Sequence, residues 1–108
     1  MNDSYINKLV KLGFSEYEAK AYTALLSKSP VSGYELAKLS SVPRSMIYEV
    51  VGKLTARGAA MLLRTGGATK YAPVPAEEFL DQLQQEHDAL IGSLKDDLSS
   101  FATMPDRD

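Results

Sequence analysis

Between Ser32 and Gly58 the chain carries two helical patterns with only Ser41-Val42-Pro43 to join them. The first pattern opens on Ser32-Gly33-Tyr34-Glu35, the spacing of a capping box, with Val31 and Leu36 placed as a hydrophobic staple. It predicts a short helix over about Gly33–Ser40. Pro43 suits the first position of the next helix, because its fixed φ is already helical. There Ile47, Val50, Val51 and Leu54 follow i, i+3, i+4, i+7 spacing, and Gly58 is the expected stop. A short helix joined by about three residues to a second helix is the pattern of a helix-turn-helix once a β-hairpin follows directly; each signal is weak alone, and their order and spacing carry the reading.

The flanking segments fit that reading. Ser4 to Leu12 sets Ile6, Leu9 and Val10 on one helical face before Gly13. Ser15-Glu16-Tyr17-Glu18 forms another capping box, opening a helix with Ala19, Tyr22 and Leu26 on one face and Ala21 and Leu25 adjoining. That helix is expected to end near Ser29, since Pro30 restricts the residue before it. After Gly58 the period changes: Met61–Arg64 and Lys70–Val74 flank the tip Thr65-Gly66-Gly67-Ala68-Thr69, which predicts a hairpin. Helical pattern resumes at Pro75-Ala76 and runs to about Phe101. The expected fold is mainly α (α+β), a winged helix-turn-helix with a two- to three-stranded wing and a long C-terminal helix. Its divisions are 1–75 for the winged part, 76–104 for the helix and 105–108 for a frayed tail.

Charge is distributed unevenly. The chain of 108 residues has a net charge of −2, a total that conceals a strong asymmetry. Residues 34–75 hold Lys38, Arg44, Lys53, Arg57, Arg64 and Lys70 against Glu35 and Glu49 only. Residues 76–108 hold Lys95 and Arg107 against nine acids. The central stretch is therefore the phosphate-facing candidate and the last third is not. On a wheel centred on Ile47, the outer arc of the second helix carries Ser45, Glu49, Gly52 and Ala56, flanked by Met46, Tyr48 and Lys53. Gly52 reads either as a site of close backbone approach or as a neutral surface glycine. Glu49 can accept from a base amino group or cap Lys53. Tyr48 reads as a groove contact or as a core-edge residue, while Tyr5, Tyr17, Tyr22 and Tyr34 read as core or rim aromatics.

Other chemistries find little support. There is no cysteine, and His87, the one histidine, lies in a polar helical stretch with no nucleophile placed beside it. Glu86, His87 and Asp88 are adjacent on a helix and point apart, so no metal site, no cofactor and no enzyme activity are expected. No apolar run approaches the about 18 residues of a membrane span. The start, Met1-Asn2-Asp3-Ser4, lacks the shape of a secretory leader, which makes the cytoplasm the expected location.

The run Leu12-Gly13-Phe14-Ser15-Glu16-Tyr17-Glu18-Ala19-Lys20-Ala21-Tyr22, followed by Ser41-Val42-Pro43-Arg44-Ser45-Met46-Ile47-Tyr48-Glu49-Val50, resembles the prokaryotic TrmB-type transcriptional regulators. The similarity continues through Lys53-Leu54, Arg57-Gly58 and Lys70-Tyr71-Ala72-Pro73-Val74-Pro75, covering roughly residues 10–80. It implies a double-stranded DNA-binding domain with Arg44, Ser45 and Tyr48 at the groove and Lys70 and Tyr71 on the wing. With the outer arc and the wing cation Arg64, the candidate contacts become Arg44, Ser45, Met46, Tyr48, Glu49, Gly52, Lys53, Arg64, Lys70 and Tyr71.

Three departures from the family pattern carry expectations. Ser41 stands where glycine is common, so a different turn geometry is expected. Ala59-Ala60 replaces larger aliphatics, which is expected to loosen the wing base. The tip lacks basic residues, leaving Arg64 and Lys70 as the wing's phosphate contacts. Many relatives also continue into an effector-binding domain, for which 108 residues leave no room. The alternative function is a winged helix that binds protein, since the fold alone does not select its partner.

The long helix is expected to form a homodimer. Read as heptads, Leu80, His87, Leu94 and Phe101 take a positions, and Leu83, Leu90 and Met104 take d. Asp97 occupies the remaining d position with Leu98 beside it, and Phe79 and Ile91 widen the stripe. The interface candidates are Leu80, Leu83, His87, Leu90, Leu94, Leu98 and Phe101. The competing reading is an amphipathic helix folded back on its own chain.

Overall fold

The computed structural model describes residues 4–102 and divides into two compact units, Met1–Ala76 and Glu77–Asp108. The described elements run α1 (Ser4–Lys11), α2 (Glu16–Ser27), α3 (Gly33–Ser40), α4 (Arg44–Ala56), β1 (Ala60–Thr65), β2 (Ala68–Pro73) and α5 (Ala76–Ala102). This is the expected mainly α winged helix-turn-helix.

The first unit is built around α2, which packs on α1, α3, α4 and β2. Its capping box closes as predicted: Ser15 Oγ accepts from Glu18 N–H at 3.0 Å, and Glu18 Oε1 accepts from Ser15 N–H at 3.3 Å. Two amides are satisfied reciprocally at a helix end that otherwise strands its first amides. The buried face holds Ala19, Ala21, Tyr22 and Leu25; Leu26, expected among them, is exposed. Residues 22 and 26 are separated by one turn, yet the apolar surface around α2 is centred one position earlier. The Tyr22 hydroxyl donates to Val74 O at 3.0 Å, and burial raises its pKa above the usual 10.0.

At α3 only half of the second capping box forms. Ser32 Oγ accepts from Glu35 N–H at 3.1 Å, but the Glu35 carboxylate pairs with Lys28 at 3.4 Å. The nearby ammonium outcompetes a neutral backbone amide for the carboxylate. Both members of the staple, Val31 and Leu36, are buried.

The junction itself is well satisfied. Ser41 takes φ 62° and ψ 28°, the left-handed conformation that glycine favours, so the change of residue leaves a glycine-type turn in place. Ser40 Oγ donates to Leu36 O at 2.7 Å and accepts from Val42 N–H at 3.3 Å, while Val42 plugs the core. Pro43 has ψ 141° and serves as the N-cap, so Arg44, rather than Pro43, is the first helical residue. The stripe of α4 is buried as predicted: Ile47, Val50, Val51 and Leu54.

The wing is a two-stranded antiparallel hairpin, with Ala60 opposite Pro73 and Thr65 opposite Ala68. Gly66 and Gly67 both take positive φ, 57° and 81°, so the tip is a two-residue turn rather than a five-residue loop. Two consecutive glycines meet the demand of a type I′ hairpin turn, and Thr65, Ala68 and Thr69 are released into the strands. A single bridge joins Val31 to Tyr71, with Val31 N to Tyr71 O at 3.0 Å and Tyr71 N to Val31 O at 2.7 Å. It supplies one residue of a third strand. Contrary to the expected looseness, Ala59 and Ala60 are both buried, and Ala59 O accepts from Val74 N–H at 2.8 Å.

The second unit consists of α5, which is continuous over 27 residues, about 40 Å at 1.5 Å per residue. Of the heptad positions, Leu83 is half-buried, and Leu80, His87, Leu90, Leu94, Leu98 and Phe101 are exposed. Met104 and the tail at 105–108 lie outside the described residues.

Candidate nucleic-acid interface

The outward face of α4 starts at the turn. Arg44, Ser45, Tyr48, Glu49, Gly52 and Lys53 are exposed and Met46 is half-buried, so the predicted arc forms one surface. A Cβ built on Gly52 meets nothing within 4 Å. No packing among the described residues requires glycine there.

Two of these side chains are held by residues of α3. The Arg44 guanidinium lies over the Tyr34 ring, 4.5 Å from its centroid. Lys38 Nζ sits 5.1 Å from the same centroid. Tyr34, expected as a core or rim aromatic, is exposed and carries two cations. Tyr48 lies across Gly33: a Cβ on that glycine would come 2.7 Å from Tyr48 Cζ and 2.9 Å from its hydroxyl oxygen. The Tyr48 ring nevertheless stays 59% exposed, so it is seated at one edge and open at the other. Gly33, Tyr34 and Lys38 were not among the predicted contacts. The i, i+4 spacing of Tyr34 and Lys38, opposite buried Leu36 and Ala37, is the signal that identifies that outer face.

The cations are not equivalent. Lys53 pairs with Glu49 at 3.7 Å, both exposed, which is the capping arrangement anticipated for Glu49. Arg57 turns inward: its Nη2 donates to Glu18 Oε1 and to Gly13 O, each at 3.1 Å, and its guanidinium lies 4.4 Å from the Phe14 ring centroid. It belongs to the structure, although it contributes to the basic count. Among the described residues, Lys38, Arg44, Arg64 and Lys70 form no ion pair.

The wing differs from expectation in two ways. Tyr71, predicted as a surface contact, is 8% exposed and tied by both backbone groups to Val31. Its ring serves the wing base. Arg64 pairs across the ladder with Thr69, and Lys70 with Leu63. Successive side chains on a strand alternate faces, so Arg64 and Lys70 project on opposite sides of the hairpin. Each can meet a different phosphate row, but they do not form one patch.

A buried α2 scaffold, a short helix, a three-residue junction, an outward-facing second helix and a glycine-tipped hairpin define a winged helix-turn-helix module. Residues 9–77 match the family described as the sugar-specific transcriptional regulator TrmB, and the chain belongs to that family. It is 48% identical over 80 residues to the uncharacterized protein YrhO of Bacillus subtilis, covering 74% of this chain and 29% of YrhO. It is 30% identical over 95 residues to TrmBL1 of Pyrococcus furiosus, an HTH-type sugar sensing transcriptional regulator, covering 88% of this chain and 28% of that protein. The solved structure of TrmBL2, described as an archaeal chromatin protein with a novel mode of DNA binding, superposes with a TM-score of 0.85 at 26% identity, over 93% of this chain and 38% of that one. The chain thus spans less than a third of the length of either curated relative.

Proposed function

We propose that this chain is a sequence-specific double-stranded DNA-binding transcriptional regulator that works as a dimer. In this reading α4 enters the major groove, whose ~12 Å width admits a helix. Arg44, Ser45, Met46, Tyr48 and Glu49 face base edges and neighbouring phosphates. Lys53, Arg64 and Lys70 meet the backbone, and Gly52 allows close approach. The observation that carries the proposal is the cation at the start of α4: Arg44 is exposed, without a carboxylate partner among the described residues, and already stacked in place. Tyr71 leaves the contact set because it is buried.

Dimerisation rests on α5. Leu90, Leu94, Leu98 and Phe101 are 59%, 44%, 58% and 72% exposed, which is unusual for a regularly spaced apolar row on a water-facing helix. A second copy laid along the same row would bury it, and a two-fold dimer supplies two reading helices for half-sites ~34 Å apart, one turn of duplex.

Selection of bound duplexes from a random pool tests both parts. The expected product is a two-fold symmetric site with half-sites about 10 base pairs apart. Affinity should fall steeply with salt as phosphate counterions are released. Arg44→Ala should weaken the selected site by about 1–3 kcal/mol without loss of fold. Absence of binding at low salt across the pool would instead favour a protein-binding winged helix.

A further inference from the structure

The contacts between α3 and α4 assign a role to the first turn of α3 that goes beyond bracing. We propose that Gly33 and Tyr34 are positioning residues: they hold the side chains of Tyr48 and Arg44 in the orientation in which α4 meets DNA. The proposal rests on the DNA-binding reading above and deepens it.

Two independent observations point the same way. An arginine at the start of an exposed helix normally samples many rotamers, and ordering such a side chain on binding opposes affinity. Here the Arg44 guanidinium lies 4.5 Å from the Tyr34 ring centroid, well inside the range of cation–π attraction. A stacked guanidinium keeps its edge N–H donors free, so the fork that recognises a guanine edge or a phosphate remains available. Tyr34 itself rests on an exposed helix face, so its ring serves as a platform and not as part of the core.

The second observation concerns the neighbouring residue. Gly33 is buried, and any side chain there would occupy the space of the Tyr48 ring, with Cζ at 2.7 Å from the added carbon. The backbone of Gly33 is helical, so conformational freedom does not explain the glycine. What requires it is the ring lying across it. Because the atoms that would collide are the far end of an exposed side chain, Gly33→Ala should displace the Tyr48 ring and leave the fold intact. Consecutive residues of α3 thus fix two side chains that sit one turn apart on α4.

The test compares the parent with Tyr34→Leu, Tyr34→Phe and Gly33→Ala on the duplex selected by the parent, with Arg44→Ala as reference. Tyr34→Leu should weaken binding about two- to five-fold, the scale of an exposed cation–π contact. Its salt slope should stay at the parent value, because no phosphate-neutralising charge is removed. Tyr34→Phe, which keeps the ring, should bind like the parent. Gly33→Ala should weaken binding to a similar extent and relax base preference where Tyr48 contacts the duplex, at an unchanged melting temperature. In the free parent, proton NMR should show ring-current upfield shifts of the Arg44 side-chain protons, which should vanish in Tyr34→Leu, and ring-current shifts of the Gly33 α-protons. Parent-like binding by both Tyr34→Leu and Gly33→Ala, while Arg44→Ala binds weakly, would overturn the positioning role alone, as would equal loss in Tyr34→Phe and Tyr34→Leu. Undiminished binding by Arg44→Ala would overturn the underlying reading as well.

Discussion

Helices α4 and α5 carry similar apolar stripes in sequence and have opposite fates in the structure. The stripe of α4 (Ile47, Val50, Val51, Leu54) is buried within its own unit, whereas that of α5 from Leu90 onward faces solvent. Periodicity therefore reports that a helix has an apolar face, and only burial reports whether the chain itself covers it. A covered stripe fixes a helix so that its other face can be used; an uncovered one asks for a partner.

The sharpest way to break this contrast is to delete apolar volume from each stripe. Ile47→Ala should destabilise the winged unit by about 2–5 kcal/mol, since it empties a fully buried site. Leu94→Ala should leave unfolding of that unit within about 0.5 kcal/mol of the parent while weakening self-association in sedimentation experiments. Equal losses of winged-unit stability in urea titrations would show that the two stripes belong to one core.

The next effect tests how firmly the last turn of α4 is anchored. The Glu18 side chain is 7% exposed and the Arg57 side chain 31%. Arg57→Ala would strand a buried carboxylate and uncover Phe14, at a cost of about 1–3 kcal/mol once partial exposure of the arginine is allowed for. Denaturant unfolding checks this, and a change below about 0.5 kcal/mol would make Arg57 a surface charge like Lys53.

The smallest effect concerns the link between α2 and the end of the wing. Burial raises the Tyr22 pKa above 10.0. Below that value the phenol is neutral whether the chain is folded or unfolded, and its bond to Val74 contributes in full. Above it the unfolded chain ionises first, so stability is lost as pH climbs toward the folded value. The parent should exceed Tyr22→Phe by about 1 kcal/mol near neutral pH, and the margin should shrink at about pH 11. A margin that does not change with pH would place the hydroxyl in contact with solvent.

What could be read from the residues follows the range of the interactions. Ser15 and Glu18, Ser32 and Glu35, Gly66 and Gly67, and the α4 stripe all act within a few positions, and each predicted its element to within a residue or two. Tyr71 was misread as a wing contact because its burial depends on Val31, forty positions earlier in the chain. Arg57 was counted with the phosphate-facing cations because its partners, Gly13, Phe14 and Glu18, lie about forty positions away. The Arg44–Tyr34 stack and the Tyr48 seat on Gly33 cross the turn between two helices. Periodicity identifies the outer face of each helix and does not reveal how the two faces meet.

The charge of α5 has a further consequence. Along the helix seven exposed carboxylates stand against Lys95 alone, so two copies brought together through it repel one another at long range. Dissolved ions shorten that repulsion to about 10 Å at 0.1 M, yet the same ions would compete for phosphate with the cations of the proposed DNA-binding face, Arg44, Lys53, Arg64 and Lys70. If the proposed dimer and DNA-binding face both hold, ionic strength pushes pairing of the protein and capture of DNA in opposite directions. At protein concentrations where pairing is incomplete, occupancy of a two-half-site operator would rise and then fall with added salt, making the assembly responsive to the osmotic state of its surroundings without any dedicated sensor.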